Sequence, residues 1–243
     1  MPLQGAKPYL RSVSIAPDAE VDAARYPFTI PAVRDLGMLV PHPDVTFFVG
    51  ENGAGKSTVL EAIAVALGLP AEGGPRSVYR AQQQTSPLHE VLKVAKGWRW
   101  PRNSYFLRAE SLFNVFTYMD DIGVGPGSGA GLHRRSHGEA FMELMQNFHG
   151  DGFYLLDEPE AALSPNRQLA ALSVIDQLVK QGAQFIIATH SPILLAYPNA
   201  KILSFDATGI SEIAYEDTEH YAVTRDFLNH YPRRLAQLLD DDG

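Results

Sequence analysis

A short loop, Gly50 to Thr58, constrains this chain more than any other feature. It reads Gly-Glu-Asn-Gly-Ala-Gly-Lys-Ser-Thr and matches the phosphate-binding pattern G-x-x-x-x-G-K-[ST] at every position. The apolar run Val45–Val49 before it is typical of a buried strand, and apolar residues from Leu60 to Leu67 recur at helical spacing. Strand, glycine-rich loop and helix, in this order, form the context in which the pattern binds phosphate.

The residue types in the loop suit the chemistry of a nucleoside triphosphate. Glycines let backbone N–H groups approach phosphate oxygens, and the helix N-terminus adds partial positive charge. Lys56 can reach the β- and γ-phosphates, and the Ser57 hydroxyl can ligate Mg²⁺. We therefore expect ATP and Mg²⁺ as cofactors. The predicted cofactor-binding residues of the loop are Asn52, Gly53, Ala54, Gly55, Lys56, Ser57 and Thr58.

Composition limits the class of protein. The chain has 243 residues, 45% of them hydrophobic, which is enough for one large domain with a sizeable core. It has no cysteine, which excludes disulfides and thiolate zinc sites. No apolar run approaches the ~18 residues of a membrane span and the N-terminus lacks a secretory pattern, so we expect a cytoplasmic protein. The net charge of −8 does not indicate a basic nucleic-acid surface.

A second apolar run, Phe153–Leu156, ends in two carboxylates, Asp157 and Glu158. Buried parallel strands have this composition, and ligands collect at the carboxyl ends of such strands. Asp157 would then hold Mg²⁺ or its waters, and Glu158 would polarise the attacking water. Such runs are common by chance, but this one follows a complete phosphate-binding loop, and the combination is specific.

Two further segments place polar residues at the ends of predicted elements. Ser136 to Glu139 fits a capping box at the start of a helix, and a capped helix terminus can also bind phosphate. The run Phe185–Ala188 predicts a strand that leads into His190. A single histidine of this kind is more often a packing or loop residue, but its order after the carboxylate strand favours a functional role.

In this order the motifs resemble those of the ATP-binding-cassette superfamily of ATPases. The resemblance runs from Val45 to about Ala196 and covers Walker A, a signature-like segment, Walker B, a D-loop-like segment and a switch histidine. The runs DEPEAALSP and IIATHSPILLAYP look most like stand-alone bacterial ATPases that carry an AAA-family label. Those proteins are related to the heads of chromosome-maintenance and break-repair ATPases.

The resemblance implies a role for each matching residue. Asp157 would hold the Mg²⁺ shell, Glu158 would act as general base or orient water, and His190 would contact the γ-phosphate. Ser136 and Gly138 would touch the γ-phosphate of the ATP bound to a second subunit. The implied assembly is therefore an ATP-dependent homodimer, and the further partner, a protein or a nucleic acid, stays open.

Three features depart from the superfamily pattern. The signature reads Ser-His-Gly-Glu, where transporter cassettes usually show Ser-Gly-Gly-Gln. A Q-loop glutamine is not obvious; Glu110, after the strand-like run Tyr105–Ala109, is the favoured cofactor-binding candidate, and Gln82–Gln84 is the alternative. Either Tyr26 or Phe28 could stack on adenine, and either could equally belong to the core.

The expected fold class is α/β, a P-loop NTPase with a mostly parallel sheet core, an N-terminal antiparallel β subdomain and a small helical lobe. We expect one ABC-type ATPase domain over residues 1–243, with the lobe at roughly 85–150. Strands at 8–15 and 25–31 would form the antiparallel subdomain. The stretch 70–103 lacks clear periodicity and predicts loop. Two short helices would close the chain.

Three functions fit this sequence. The favoured one is a Mg-ATP-hydrolysing ATPase that dimerises around two ATP molecules to drive a partner or a nucleic-acid transaction, and DNA repair and phage defence are both compatible. The alternatives are the nucleotide-binding subunit of an ABC transporter and a nucleotide-sensing interaction module. The unusual signature disfavours the transporter, and Glu158 disfavours the pure sensor.

Overall fold

The computed structural model describes residues 7–76, 85–101, 103–111 and 137–239. Its strands are β1 (Leu10–Ile15), β2 (Val45–Val49), β3 (Gly74–Pro75), β4 (Leu92–Lys96), β5 (Asn103–Arg108), β6 (Gly152–Asp157), β7 (Gln184–Ala188), β8 (Lys201–Asp206) and β9 (Gly209–Glu212). Its helices are α1 (Pro31–Arg34), α2 (Lys56–Ala66), α3 (Leu88–Val91), α4 (His137–Gln146), α5 (Pro165–Gln181), α6 (Pro192–Leu195) and α7 (Glu219–Leu239).

A seven-stranded sheet with the order β3-β5-β6-β7-β2-β8-β9 lies at the centre of the described structure. Strands β5, β6, β7, β2 and β8 are parallel, whereas β3 and β9 pair antiparallel at the two edges. Every residue of β2, β6 and β7 is buried, which explains why these strands are mostly apolar. Because these strands are parallel, their carboxyl ends meet at one edge of the sheet, where ligands bind in α/β folds.

Apolar layers cover both faces of this sheet. Phe48 and Ile186 face the layer that contains α1 and α2. Their neighbours Phe47 and Ile187 face the opposite layer, which contains α4, α5 and α6. Successive residues of a strand therefore serve opposite cores, as the two-residue period of a strand requires. The α/β class with a mostly parallel sheet is confirmed.

An antiparallel β subdomain is also present at the N-terminus, but its second strand differs from the prediction. β1 pairs with β4, which lies inside the segment 70–103 that was expected to be loop. Alternate apolar residues of β4 pack on the core. The predicted strand at 25–31 is wrong, because this segment forms turns that lead into α1. Pro27 and Pro31 have no N–H to donate to a ladder, and Pro31 suits the first turn of a helix.

The helical lobe at roughly 85–150 stays a prediction, as does the single domain over 1–243. Within the lobe range, the described residues form α3, β4, β5 and α4, and the two strands belong to the two sheets. The rest of the expected lobe, residues 112–136, lies outside the described residues.

The last strand is followed by α7, which consists of two helical segments joined at a kink, in agreement with the two short helices predicted. Its backbone is non-helical at His230, two residues before Pro232, because a proline ring clashes with the preceding helical turn. The described residues of α7 include none that is buried, and Phe227, Leu228 and Tyr231 are exposed. Across the described ranges, we find no helix with the length and apolar character needed to cross a membrane.

Candidate nucleotide-binding site

The phosphate-binding loop follows β2 and ends at the N-terminus of α2, which is the predicted strand–loop–helix unit. Gly50 has a φ of +138°, and a Cβ at this position would lie 2.2 Å from the carbonyl oxygen of Phe205. A larger residue would therefore push the loop away from β8. Gly55 precedes α2 with a φ of +99°, a conformation that L side chains rarely adopt. Both glycines are needed for the path of the loop.

Lys56 lies inside this loop with only 4% of its surface exposed. Its Nζ donates hydrogen bonds to the carbonyl oxygens of Gly50 at 2.7 Å and Glu51 at 2.8 Å. Burial lowers the pKa of Lys56, and the nearby carboxylates of Glu158 and Asp157 oppose that change. The side chain is thus held in the loop at the point where a phosphate would need a cation.

Asp157, at the end of β6, is the buried carboxylate of the site. Its Oδ1 accepts a hydrogen bond from the Ser57 hydroxyl at 2.9 Å, and its Oδ2 lies 3.3 Å from Nε of Arg108. Arg108 stands opposite Asp157 in the β5–β6 register and also contacts Glu61 at 2.7 Å. Burial raises the pKa of Asp157 to about 6, although Arg108 and Ser57 both lower it. The sequence analysis did not predict Arg108 as a site residue, although a charged residue directly after the apolar run Tyr105–Leu107 could have indicated one.

Ser57 and Asp157 fit the ligand chemistry of Mg²⁺. The ion prefers oxygen ligands and is usually bound through one or two protein oxygens together with waters and substrate phosphates. The Ser57 and Asp157 oxygens lie next to each other, beside the start of α2. Among the described residues there is no group of three or more His, Cys, Asp or Glu side chains that could hold a metal without a substrate.

Glu158 and His190 face each other across neighbouring strand ends. Glu158 has a left-handed backbone with a φ of +50°, and its N–H donates to the carbonyl oxygen of Ala188 at 2.9 Å. Its side chain is 41% exposed, and Oε1 lies 3.6 Å from Nε2 of His190. Glu158 is partly exposed, unlike the buried Asp157, so a water molecule can reach its carboxylate. A general base must contact the water that it deprotonates.

Glu160 is a site residue that sequence reasoning did not single out. Its Oε2 accepts from the Thr189 hydroxyl at 2.7 Å, and its Oε1 accepts from the backbone N–H of His190 at 2.5 Å. Burial raises the pKa of Glu160, and these two hydrogen bonds oppose the change. The carboxylate thus fixes the backbone that carries His190. The second glutamate of the run Asp-Glu-Pro-Glu gave no sign of this long-range contact.

The other predicted residues differ in where they lie. Tyr26 is 58% exposed and its hydroxyl lies 3.3 Å from Oγ1 of Thr58, whereas Phe28 is 5% exposed in the core. Only Tyr26 therefore offers a face to a ligand. Glu110 is exposed in the turn after β5, at the same edge of the sheet as Asp157. Ser136 and Gln82–Gln84 lie outside the described residues.

Gly138 lies in the first turn of α4 and has a close intramolecular neighbour. A Cβ at this position would be 2.4 Å from Nη1 of Arg167 and 2.7 Å from the carbonyl oxygen of Ala162. The glycine therefore allows α4 to approach the turn after Glu158. Its predicted contact with a second nucleotide stays a prediction.

A cavity of about 690 Å³ opens beside the loop. Its walls come from five parts of the chain: the segment Thr29–Pro31, the loop from Val49 to Ala54, the end of β8, Ile213, and the segment 217–220 at the start of α7. Its volume falls within the range of roughly 300–1,000 Å³ that is usual for small-molecule sites.

Comparisons with known proteins agree with this geometry. Residues 34–93 match the AAA_23 family model, described as an AAA domain. The chain is 28% identical over 223 residues to the ABC multidrug transporter C of Aspergillus fumigatus, covering 82% of this chain and 15% of the transporter. It is 24% identical over 220 residues to the energy-coupling factor transporter ATP-binding protein EcfA2 of Methanospirillum hungatei, covering 80% of this chain and 55% of that protein. The chain thus spans only part of the length of these relatives.

A solved structure with a similar fold is the SMC head domain from Thermotoga maritima. It has a TM-score of 0.48 and 14% sequence identity, and the match covers 84% of this chain and 99% of that one.

The loop, the carboxylates and the histidine at one edge of a parallel sheet define a P-loop nucleotide-binding domain. The curated relatives match it over four fifths of its length. The chain is similar to the ATPase domains of ATP-binding-cassette proteins, as the motifs predicted, and its relatives imply the use of a nucleotide and a divalent cation.

Proposed function

We propose that this chain binds Mg-ATP and hydrolyses it to drive a change in a partner. The proposal rests on one observation. Four residues lie together at the carboxyl ends of three adjacent parallel strands: Lys56, Asp157, Glu158 and His190. Phosphoryl transfer depends mainly on positioning and on stabilising charge. Lys56 provides a positive charge and Asp157 a carboxylate that can bind a metal cation. Glu158 provides a base and His190 an imidazole, within the same small region.

Each residue has a distinct role in this proposal. Lys56 turns from the loop carbonyls to the β- and γ-phosphates. Glu158 accepts a proton from the attacking water or orients it, and His190 directs its Nε2 towards the γ-phosphate. Ser57 and Asp157 are the residues that would hold Mg²⁺, which supplies neutralisation of phosphate charge when bound.

The assembly in this proposal is a dimer closed around two ATP molecules. Each site would be completed by the segment Ser136–Gly138 of the second subunit, where a helix terminus offers backbone N–H groups to the γ-phosphate. ADP lacks that phosphate and should not support closure. The closed dimer would act on a protein or a nucleic acid, with DNA repair and phage defence as candidate settings.

The test is steady-state ATP hydrolysis by wild type and by Glu158→Gln. Loss of a positioned base typically costs about 10²–10⁴ in rate, while ATP binding should survive because the shape is kept. Glu216→Gln, in an exposed turn, is the matched control and should hydrolyse ATP at the wild-type rate. Hydrolysis by Glu158→Gln within a few-fold of wild type would remove Glu158 from its proposed role.

The nucleotide-binding subunit of a transporter is the alternative that the curated relatives favour, because both are transporter proteins by name. Light scattering and membrane co-purification separate the two. A soluble dimer that forms with ATP in the Glu158→Gln variant, and not with ADP, supports the proposal. Recovery of the chain in a detergent-solubilised membrane complex supports the transporter. A stable ATP complex without turnover in wild type would instead indicate a nucleotide sensor.

A further inference from the structure

His220, at the start of α7, contacts the histidine of the proposed active site. Nδ1 of His190 lies 2.8 Å from Nε2 of His220, and the ring centroids are 4.9 Å apart at an angle of 59°. This distance is a hydrogen bond between two imidazoles. The contact joins the end of β7 to α7, a helix that otherwise lies on the surface. His220 was not among the site residues predicted from the sequence.

The groups around the two rings determine which imidazole donates the hydrogen bond between His190 and His220. A neutral imidazole has one N–H and one acceptor nitrogen. Burial lowers the pKa of both His190 and His220, which favours the neutral form of each ring. One ring must therefore donate to the other, and the choice fixes which nitrogen of His190 carries its proton.

The other nitrogen of His190 faces an acceptor. Nε2 of His190 is buried without a hydrogen bond to any described residue, and Oε1 of Glu158 lies 3.6 Å away. An ionised carboxylate can only accept, and so can the oxygens of a γ-phosphate. A proton on Nε2 is therefore favoured, because a bare Nε2 lone pair would face negative oxygen. Nδ1 of His190 is then the acceptor, and Nε2–H of His220 is the donor.

We propose that His220 is a positioning residue that holds His190 in the Nε2–H form and aims that N–H at the γ-phosphate. The inference rests on the proposed function for its kinetic consequence. The backbone of His190 is already fixed by Glu160. His220 fixes what the backbone does not. It determines which ring nitrogen of His190 carries the proton, and it orients the ring.

Two variants of His220 separate hydrogen bonding from packing. His220→Phe keeps a ring but removes the donor, and His220→Gln places an amide N–H near the position of Nε2. We expect His220→Phe to lower kcat about five- to tenfold, the typical worth of one hydrogen bond, with the Kd of ATP almost unchanged. His220→Gln should recover kcat to within about twofold of wild type. His230→Phe, on the same helix and away from the loop, is the control and should leave kcat unchanged.

A double variant tests whether His220 acts through His190. In a His190→Ala background, His220→Phe should have no further effect on kcat, because the ring that it orients is gone. An equal loss of kcat in both backgrounds would overturn the inference and assign His220 a packing role. Loss of kcat in His220→Gln as large as in His220→Phe would overturn it too.

A spectroscopic measurement decides the same question without turnover. Two-bond ¹⁵N–¹H correlation spectra of the wild-type imidazoles, assigned with the two histidine variants, should show His190 protonated at Nε2 and bare at Nδ1. A proton on Nδ1 of His190 would overturn the inference even in an active enzyme. If the wild type does not hydrolyse ATP, the proposed function fails, and this spectrum still decides the role of His220.

Discussion

Replacing Asp157 by Asn should stabilise the protein while abolishing its use of Mg²⁺. The Asp157 side chain is only 6% exposed, so its charged form has lost most of its hydration. Burial is the largest influence on its pKa, and the attraction of Arg108 does not compensate for it. An amide keeps the shape and an oxygen for the Ser57 hydroxyl, but it carries no charge that needs hydration.

The size and pH range of the effect follow from the pKa. Raising the pKa from 3.8 to about 6 corresponds to about 3 kcal/mol, at roughly 1.4 kcal/mol for each pKa unit. Because the folded-state pKa is the higher one, the protonated carboxyl contributes stability that is fully present below about pH 4. That stability is lost as the pH rises through about 6. Asp157→Asn should therefore match wild type near pH 4 and exceed it by about 3 kcal/mol at pH 8.

Thermal and urea unfolding between pH 4 and pH 8, without nucleotide, measure this difference. For a chain of this length, 3 kcal/mol corresponds to a rise in Tm of about 6–12 °C. Asp35→Asn is the control: Asp35 is exposed, and its hydrogen bond from Arg34 lowers its pKa, so its replacement should not raise Tm at pH 8. An Asp157→Asn variant no more stable than wild type at pH 8 would refute the view that burial outweighs the attraction of Arg108.

Two further predictions concern binding and the anchoring of the N-terminal sheet. Mg-ATP at about 100 times its Kd should add roughly 2.7 kcal/mol to the free energy of unfolding of wild type, which is a rise in Tm of about 5–11 °C. Lys56→Ala should lose this shift. Lys93→Ala, at an exposed position of β4, is the control and should keep it. Gln184→Leu should cost at least about 3 kcal/mol in urea unfolding, because it leaves buried N–H and carbonyl groups of Tyr9, Leu10 and His42 unpaired. A cost for Gln184→Leu below about 1 kcal/mol would contradict this account.

The parts of the fold that the sequence predicted are those with strong local periodicity. Mostly apolar runs mark β2, β6 and β7 because both faces of those strands are buried. The helical spacing after the loop marks α2 because its apolar face packs on the sheet. Where a segment is short and half exposed, as in β4, the partner strand decides its structure, and that partner is far away in sequence.

The same distinction applies to the candidate site. Motif spacing predicted Lys56, Asp157 and Glu158 as site residues, because their chemistry depends on the loop and on the strand end that carries them. Arg108, Glu160 and His220, the proposed positioning residue, contact residues on other elements, at 3.3 Å, 2.5 Å and 2.8 Å respectively. Sequence order does not record which side chains meet in space. Such positioning residues become visible only when the strand order is known.

If the chain binds ATP as proposed, the geometry of the site indicates where the binding energy would come from. Glu160 already holds the backbone at His190, and the Ser57 hydroxyl already donates to Asp157, so little ordering is left for the ligand to impose. Lys56 must leave two neutral carbonyl oxygens, and it gains charged phosphate oxygens, which form hydrogen bonds about twice as strong. A bound cation would add a second positive charge beside Asp157, next to that of Arg108. In the proposed complex, Mg-ATP would therefore offset the cost of burying these charged groups, which would link the stability of this protein to its ligand.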